Sequence, residues 1–161
     1  MSSEPAVETR AASRPSLRIP THIGVIMDGN GRWAQARGKP RTEGHVAGVK
    51  ALRQLVESCI DFGVGYLTVF SFSSENWSRP KDEVSFIFGL LRRFVASDLE
   101  RLIQNNVQVR IIGSRQGLDA SLIRLIDDVE AKTRANTGLR LFVAFNYGGK
   151  AEIADAVRDI A

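Results

Sequence analysis

The sequence predicts an α/β fold in which a central, mostly parallel β-sheet is surrounded by helices. Two observations carry that expectation. Short apolar, β-rich runs alternate four times with longer amphipathic ones, and 161 residues at 43% hydrophobic content suffice for one domain with a substantial core. Alternation of this kind sets parallel strands side by side and gathers ligand-facing groups in the loops at their C-terminal ends.

The strands are read at 23–27, 66–72, 107–112 and 139–145. Each is near-continuously apolar rather than alternating, which predicts that both faces of the sheet are covered. Between the first two, Val46, Val49, Leu52, Leu55, Val56 and Cys59 recur at helical spacing over 44–62, and Gly63 follows as a left-handed cap. A second helix over 80–105 repeats the pattern through Val84, Ile87, Phe88, Leu91, Phe94, Val95, Leu99 and Leu102. Its apolar residues occupy more than one face, a property that suits either core packing or the wall of a lipid-sized pocket. Shorter helices are expected at 118–134 and 151–160. Residues 1–20 are rich in Ser, Ala, Pro and charge without periodicity and read as a disordered leader. The last helix runs into Ala161 with no glycine, asparagine or proline to end it, as in a chain cut short.

Composition narrows the function classes. The net charge of +4 comes from 22 basic against 18 acidic side chains, and 17 of the 22 are arginine, whose planar fork suits phosphate oxygens. Cys59 is the single cysteine, which excludes a disulfide scaffold or a CxxC motif and points to a reducing, cytoplasmic compartment. No apolar run reaches the length of a membrane span or has the pattern of a signal peptide, so the expectation is a protein neither exported nor membrane-spanning.

Two loops could carry chemistry. Directly after the first strand, Asp28-Gly29-Asn30-Gly31-Arg32-Trp33 places a carboxylate, two flexible glycines and a guanidinium at the mouth of the sheet. Backbone N–H groups freed by the glycines could cradle a diphosphate, and Asp28 would sit comfortably beside an anion only across a cation such as Mg2+. A tight turn in which Asp28 merely caps is the plainer alternative. The spacing fits neither the P-loop nor the dinucleotide fingerprint. Arg32, Arg37, Lys39 and Arg41 then supply four cations in ten residues with no acid among them, and His45 follows. The second loop, Ser73-Ser74-Glu75-Asn76-Trp77-Ser78-Arg79-Pro80, leaves the second strand and should open on the same sheet edge, facing the first. Pro80 reads as a helix entry. Asp127-Asp128 lacks a third aspartate, since position 131 is alanine, and reads as solvated helix surface.

These two loops, with Arg110-Ile111-Ile112-Gly113 and Asn146-Tyr147-Gly148-Gly149, resemble the cis-prenyltransferases, the isoprenyl transferase or undecaprenyl diphosphate synthase family, over residues 20–161. The resemblance implies a Mg2+-dependent homodimeric enzyme that condenses isopentenyl diphosphate onto an allylic diphosphate such as farnesyl diphosphate, with a cis double bond at each round. The product would be a long-chain polyprenyl diphosphate for lipid-carrier and cell-wall synthesis. It implies further that Asp28 is catalytic and binds the metal, that Gly29, Asn30, Gly31, Arg32, Trp33, Arg41 and His45 hold the allylic diphosphate, and that Asn76 matches the proposed proton acceptor. Ser73, Ser74, Glu75, Trp77 and Arg79 surround Asn76, while Val49 and Ser71 line the tunnel for the growing chain. An amide is a poor base, so Asn76 is expected to orient the reacting groups while the proton leaves to diphosphate. A small residue at Ser71 favours a long product, and so apolar a product implies transient contact with the inner face of a membrane.

The sequence ends before the family's downstream Arg-x-Ser/Gly-Gly-Glu segment. Residues 21–161 are therefore expected to be the N-terminal portion of one catalytic domain, unable alone to catalyse condensation but holding the residues that bind the allylic substrate. Two rival readings are a non-catalytic family subunit that binds diphosphate without turnover, against which Asp28 and Arg32 stand intact, and a phosphate- or nucleic-acid-binding module. Nucleic acid is not the expected partner, because the aromatic residues fall largely in apolar runs.

Overall fold

The computed structural model describes residues 18–160. Nearly all of the predicted leader, residues 1–17, and the chain end at Ala161 lie outside that range. Four strands, β1 (His22–Ile26), β2 (Tyr66–Ser73), β3 (Gln108–Ile112) and β4 (Arg140–Tyr147), form one sheet in the order β1-β2-β4-β3 with every pairing parallel. The helices are α1 (Asn30–Gln35), α2 (Arg41–Asp61), α3 (Lys81–Gln104), α4 (Ala120–Thr133) and α5 (Gly149–Ile160), with a 3₁₀ turn over Ser74–Ser78.

Period-two geometry decides which side chains meet the helices. Leu67 and Val69 of β2, Leu141 and Val143 of β4 and Val109 of β3 point to one face, where they pack on Leu52, Val56 and Cys59 of α2 and on Phe94, Val95 and Leu102 of α3. A second cluster sits nearer the C-terminal strand ends, where Phe72 and Phe145 meet Val84 and Phe88 of α3 and Leu122 and Ile126 of α4. Helix α4 also closes the β3 edge. Thr133 accepts a hydrogen bond from the Val109 N–H at 3.1 Å, and the Glu130 carboxylate accepts one from the Ile111 N–H at 2.7 Å. Backbone donors that would otherwise lie open for pairing are thereby satisfied.

The alternation, the strands and the four long helices match expectation; among the described residues one face of the sheet is less covered than the other. His22, Gly24 and Ile26 of β1 are exposed on the opposite face, Ile26 at 76%, and Tyr66, Thr68, Phe70 and Phe142 beside them are half-buried. Helices α2, α3 and α4 contribute their buried residues to the other face, and α5 buries none of its residues. On this side aromatic rings meet one another, Tyr66 stacking on Phe142 with centroids 6.5 Å apart and Phe70 meeting Tyr147 edge-on at 5.8 Å.

Candidate functional site

The chain leaves β1 at Asp28 and turns through Gly29, whose φ of 83° is a left-handed conformation that favours glycine, into the short helix α1. No side chain caps that helix, so the first-turn N–H groups of Asn30, Gly31 and Arg32 are left without helical acceptors. Asp28 accepts from the Gly29 N–H and pairs with Arg32 at 3.0 Å, both side chains being about three-quarters exposed at 74% and 75%. Helix α1 rests on α2 because Gly44 lets the backbones touch: a Cβ there would lie 1.9 Å from the Asn30 carbonyl oxygen. That contact sets the height of the Asp28–Arg32 loop over the sheet.

Helix α2 begins at Arg41, which puts Arg41 and His45 on its first turns, beside the start of α3. There both meet Glu83, a residue sequence reasoning missed. Arg41 donates to it from Nη2 at 3.2 Å and Nε at 3.3 Å, His45 Nε2 at 3.0 Å and Arg79 Nη1 at 2.8 Å. Burial alone would raise the Glu83 pKa, but the hydrogen bonds from Arg41, His45 and Arg79 overcome it and hold the carboxyl down to about 2. The one local signal was that Glu83 lies four residues, about one helical turn, after Arg79.

The second loop closes the other side. Strand β2 has an irregular register between Phe70 and Ser73, at the point where Ser71 donates from its hydroxyl to the Ala144 carbonyl at 3.0 Å. Ser73 and Asn76 form a reciprocal cap in which the Ser73 N–H donates to Asn76 Oδ1 at 3.0 Å. The Asn76 oxygen is thus engaged, and its amide N–H groups are the atoms left to offer. Trp77 turns away. Its indole N–H donates to Asn146 at 2.8 Å and its ring meets Phe72 and Phe88 edge-on.

Together these segments enclose a cavity of about 520 Å³. Asp28, Gly29, Asn30, Gly31, Arg32, Arg41, His45, Ser73, Asn76 and Arg79 line its polar mouth, and Val49, Leu52, Ser71, Leu90, Leu91 and Phe94 its apolar depth. Trp33, Ser74, Glu75 and Trp77 do not line it. Trp33 is 43% exposed with the Arg37 guanidinium 4.4 Å over its ring, and Ser74 and Glu75 are exposed. Asn146 is a buried organiser that the motif hid: held at φ 53°, it also donates to the Ser114 and Gln116 carbonyls at 2.8 and 2.9 Å. It thereby fixes the β3 loop and Trp77 together.

Among the described residues no three His, Cys, Asp or Glu side chains cluster as a metal cage. Asp28 is the one carboxylate on the cavity wall, and its neighbours are N–H donors and guanidiniums. That donor set fits a cation that takes one protein carboxylate and completes its shell from phosphate oxygens, the usual habit of Mg2+.

Comparison with known proteins gives the family and the fold. The Prenyltransf family model, described as undecaprenyl diphosphate synthase, matches residues 26–161. Isoprenyl transferase 2 of Bradyrhizobium diazoefficiens is 52% identical over 161 residues, all of this chain and 63% of that protein. The isoprenyl transferase of Brucella abortus is 56% identical over 142 residues, 88% of this chain and 56% of that protein. The chain therefore spans only about three-fifths of the length of these relatives. The crystal structure of lavandulyl diphosphate synthase from Lavandula x intermedia, in complex with dimethylallyl diphosphate, superposes with a TM-score of 0.83 at 32% identity, covering 87% of this chain and 60% of that one. A probable undecaprenyl diphosphate synthase from Campylobacter jejuni gives 0.73 at 35% identity, covering 89% and 62%.

Proposed function

Since the chain belongs to the undecaprenyl diphosphate synthase family of prenyltransferases, we propose that its cavity binds an allylic diphosphate and serves the cis-condensation of isopentenyl diphosphate onto it. One observation carries the reading: a single cavity runs from a mouth of guanidiniums and unpaired N–H groups to a depth of aliphatic and aromatic side chains. A diphosphate with a hydrocarbon tail has that same division. Dimethylallyl diphosphate is bound by the lavandulyl diphosphate synthase relative, which supports an allylic diphosphate here; farnesyl diphosphate is the primer we propose for this chain.

In the condensation, the allylic carbon–oxygen bond breaks, a carbon–carbon bond forms to the alkene of isopentenyl diphosphate, and a proton is lost to an oxygen of the released pyrophosphate. The first-turn N–H groups of α1 and the guanidiniums of Arg32, Arg41 and Arg79 stand where negative charge gathers on the leaving diphosphate. Asn76, its oxygen taken by Ser73, donates an amide N–H and so orients a phosphate oxygen rather than accepting the proton. Asp28 would hold Mg2+, which would supply further neutralisation of the leaving group when bound. Apolar walls at Val49, Leu52 and Phe94 exclude water from the reacting end.

The small side chain at Ser71 supports a long product, and the reading includes a homodimer, a cytoplasmic location and transient contact with a membrane surface during product release. No helix among the described residues is long and apolar enough to cross a membrane. Nucleic acid is not part of this reading, since the aromatic residues fall largely in apolar runs rather than on a basic strand face. The test is equilibrium dialysis of farnesyl diphosphate with and without Mg2+. Binding that strengthens with Mg2+ in the unaltered chain, and loses that dependence in Asp28→Ala, is expected; no binding under either condition overturns the reading.

A further inference from the structure

We propose that Glu83 is the positioning residue of the anion site, gathering Arg41, His45 and Arg79 from separate segments into one cationic cluster that receives a diphosphate. The proposal rests on the diphosphate-binding reading above and assigns the mouth of the cavity an organiser that does not itself line it.

The geometry is specific. Oε1 of Glu83 takes Arg79 Nη1 at 2.8 Å, His45 Nε2 at 3.0 Å and Arg41 Nη2 at 3.2 Å, while Oε2 takes Arg41 Nε at 3.3 Å. Its side chain is 11% exposed, against 41% for Arg41 and 31% for Arg79, so the acid lies beneath the cations and they reach past it towards solvent. The guanidiniums of Arg41 and Arg79, drawn together from the start of α2 and the end of the 3₁₀ turn, would repel one another without it. An ionised carboxylate only accepts, so Arg79 spends one edge on Glu83 and keeps another for a ligand, while Arg41 gives Nε and Nη2 to Glu83 and Nη1 also to Gln35 at 3.3 Å. For Arg79 the edge left over is Nε and Nη2. Gly31 completes the seat for Arg41, whose guanidinium carbon lies only 2.7 Å from where a Cβ at position 31 would be.

The molecule contains a natural contrast. Asp98, on α3, is likewise buried and takes Arg53 through bonds of 2.7 to 2.9 Å, but it gathers one cation only, together with Ser97, and neither Arg53 nor Asp98 lines the main cavity. That pair ties α2 to α3. Glu83 ties the same two helices and adds a third segment, and every one of its partners faces the cavity.

Charge and position predict opposite signs, which makes the proposal decidable. Glu83→Gln adds one positive charge to the mouth and, by charge alone, should tighten anion binding. If Glu83 positions the cations, the same change weakens binding on the order of 10-fold or more, the scale of lost charge-assisted hydrogen bonds.

The experiment is calorimetric titration of the chain with inorganic pyrophosphate, using the unaltered protein, Glu83→Gln, Arg79→Gln and the double variant, with near-UV circular dichroism to follow the fold. Weaker binding in Glu83→Gln, and a smaller cost for that change when Arg79→Gln is already present, is the expected result. Affinity in Glu83→Gln equal to or above that of the unaltered chain overturns it. Should Glu83→Gln fail to fold, Glu83→Asp keeps the charge and shortens the reach by one methylene. Weakened binding there supports the proposal, and unchanged binding overturns it. Failure of the unaltered chain to bind pyrophosphate at all removes the diphosphate reading itself, an outcome distinct from a tight site indifferent to Glu83.

Discussion

The two ends of the cavity are held by different forces. At the mouth, Asp28 and Arg32 are about three-quarters exposed, and the ligand-facing groups are aimed by hydrogen bonds, by the Glu83 cluster and by the approach of α1 to α2 at Gly44. In the depth, Leu52 and Phe94 are 9% and 8% exposed and belong to the same packing that joins α2 and α3 to the sheet. A head group is therefore recognised by charge that salt can screen and single substitutions can disarm without unfolding the chain. The tail is recognised by core surface, where a change costs stability before it costs binding.

That division can be broken at either end. Phe94→Ala should lower unfolding free energy by about 3–5 kcal/mol while leaving pyrophosphate affinity within about twofold, because the mouth does not touch the ring; denaturant melts beside pyrophosphate titrations check both. Equal losses in the two quantities would mean that the ends are not separable. Gly44→Val places a side chain where the Asn30 carbonyl oxygen stands. It should lift α1 and cost roughly 100-fold in pyrophosphate affinity, the scale of an ångström-sized misplacement, at a stability cost of about 1–3 kcal/mol. Retained affinity would show that the height of α1 does not matter.

A pH series sharpens the mouth. Because the folded Glu83 carboxyl is held down at about 2 from an ordinary 4.5, its contribution to stability is fully present above about 4.5 and disappears as pH falls towards 2. The difference in unfolding free energy between the unaltered chain and Glu83→Gln should stay flat from neutral pH to about 4.5 and shrink below it. A difference that changes only above pH 5 would contradict the cluster. The smallest effect belongs to Trp33→Phe. With its ring turned outward under Arg37, the change should alter farnesyl diphosphate affinity by no more than about twofold, and a tenfold loss would put Trp33 back among the ligand contacts.

Much of the mouth was legible in the sequence because its chemistry is local. The Asp28–Arg32 loop and the Ser73–Arg79 loop follow parallel strands, and the topology brings both to one sheet end, where Asp28, Arg32, Ser73, Asn76 and Arg79 share a cavity. Glu83 was not legible by the same means, since it lies 42 residues from Arg41 and 38 from His45. Trp77 and Glu75 lie within a motif yet face elsewhere, because a five-residue 3₁₀ turn distributes its side chains around the axis and only some reach the cavity. An apolar strand residue reads the same whether a helix or a neighbouring aromatic ring meets it, and among the described residues Tyr66, Phe70 and Phe142 meet rings.

The most direct test of the two-ended cavity is competitive calorimetry of pyrophosphate and farnesyl diphosphate over a range of salt and temperature. The expected result is one shared site, in which pyrophosphate displaces farnesyl diphosphate, both affinities fall with salt at a similar slope, and farnesyl diphosphate alone adds a large negative heat-capacity change from burying its tail. Farnesyl diphosphate that pyrophosphate cannot displace, or that binds with no more heat-capacity change than pyrophosphate itself, would contradict the account.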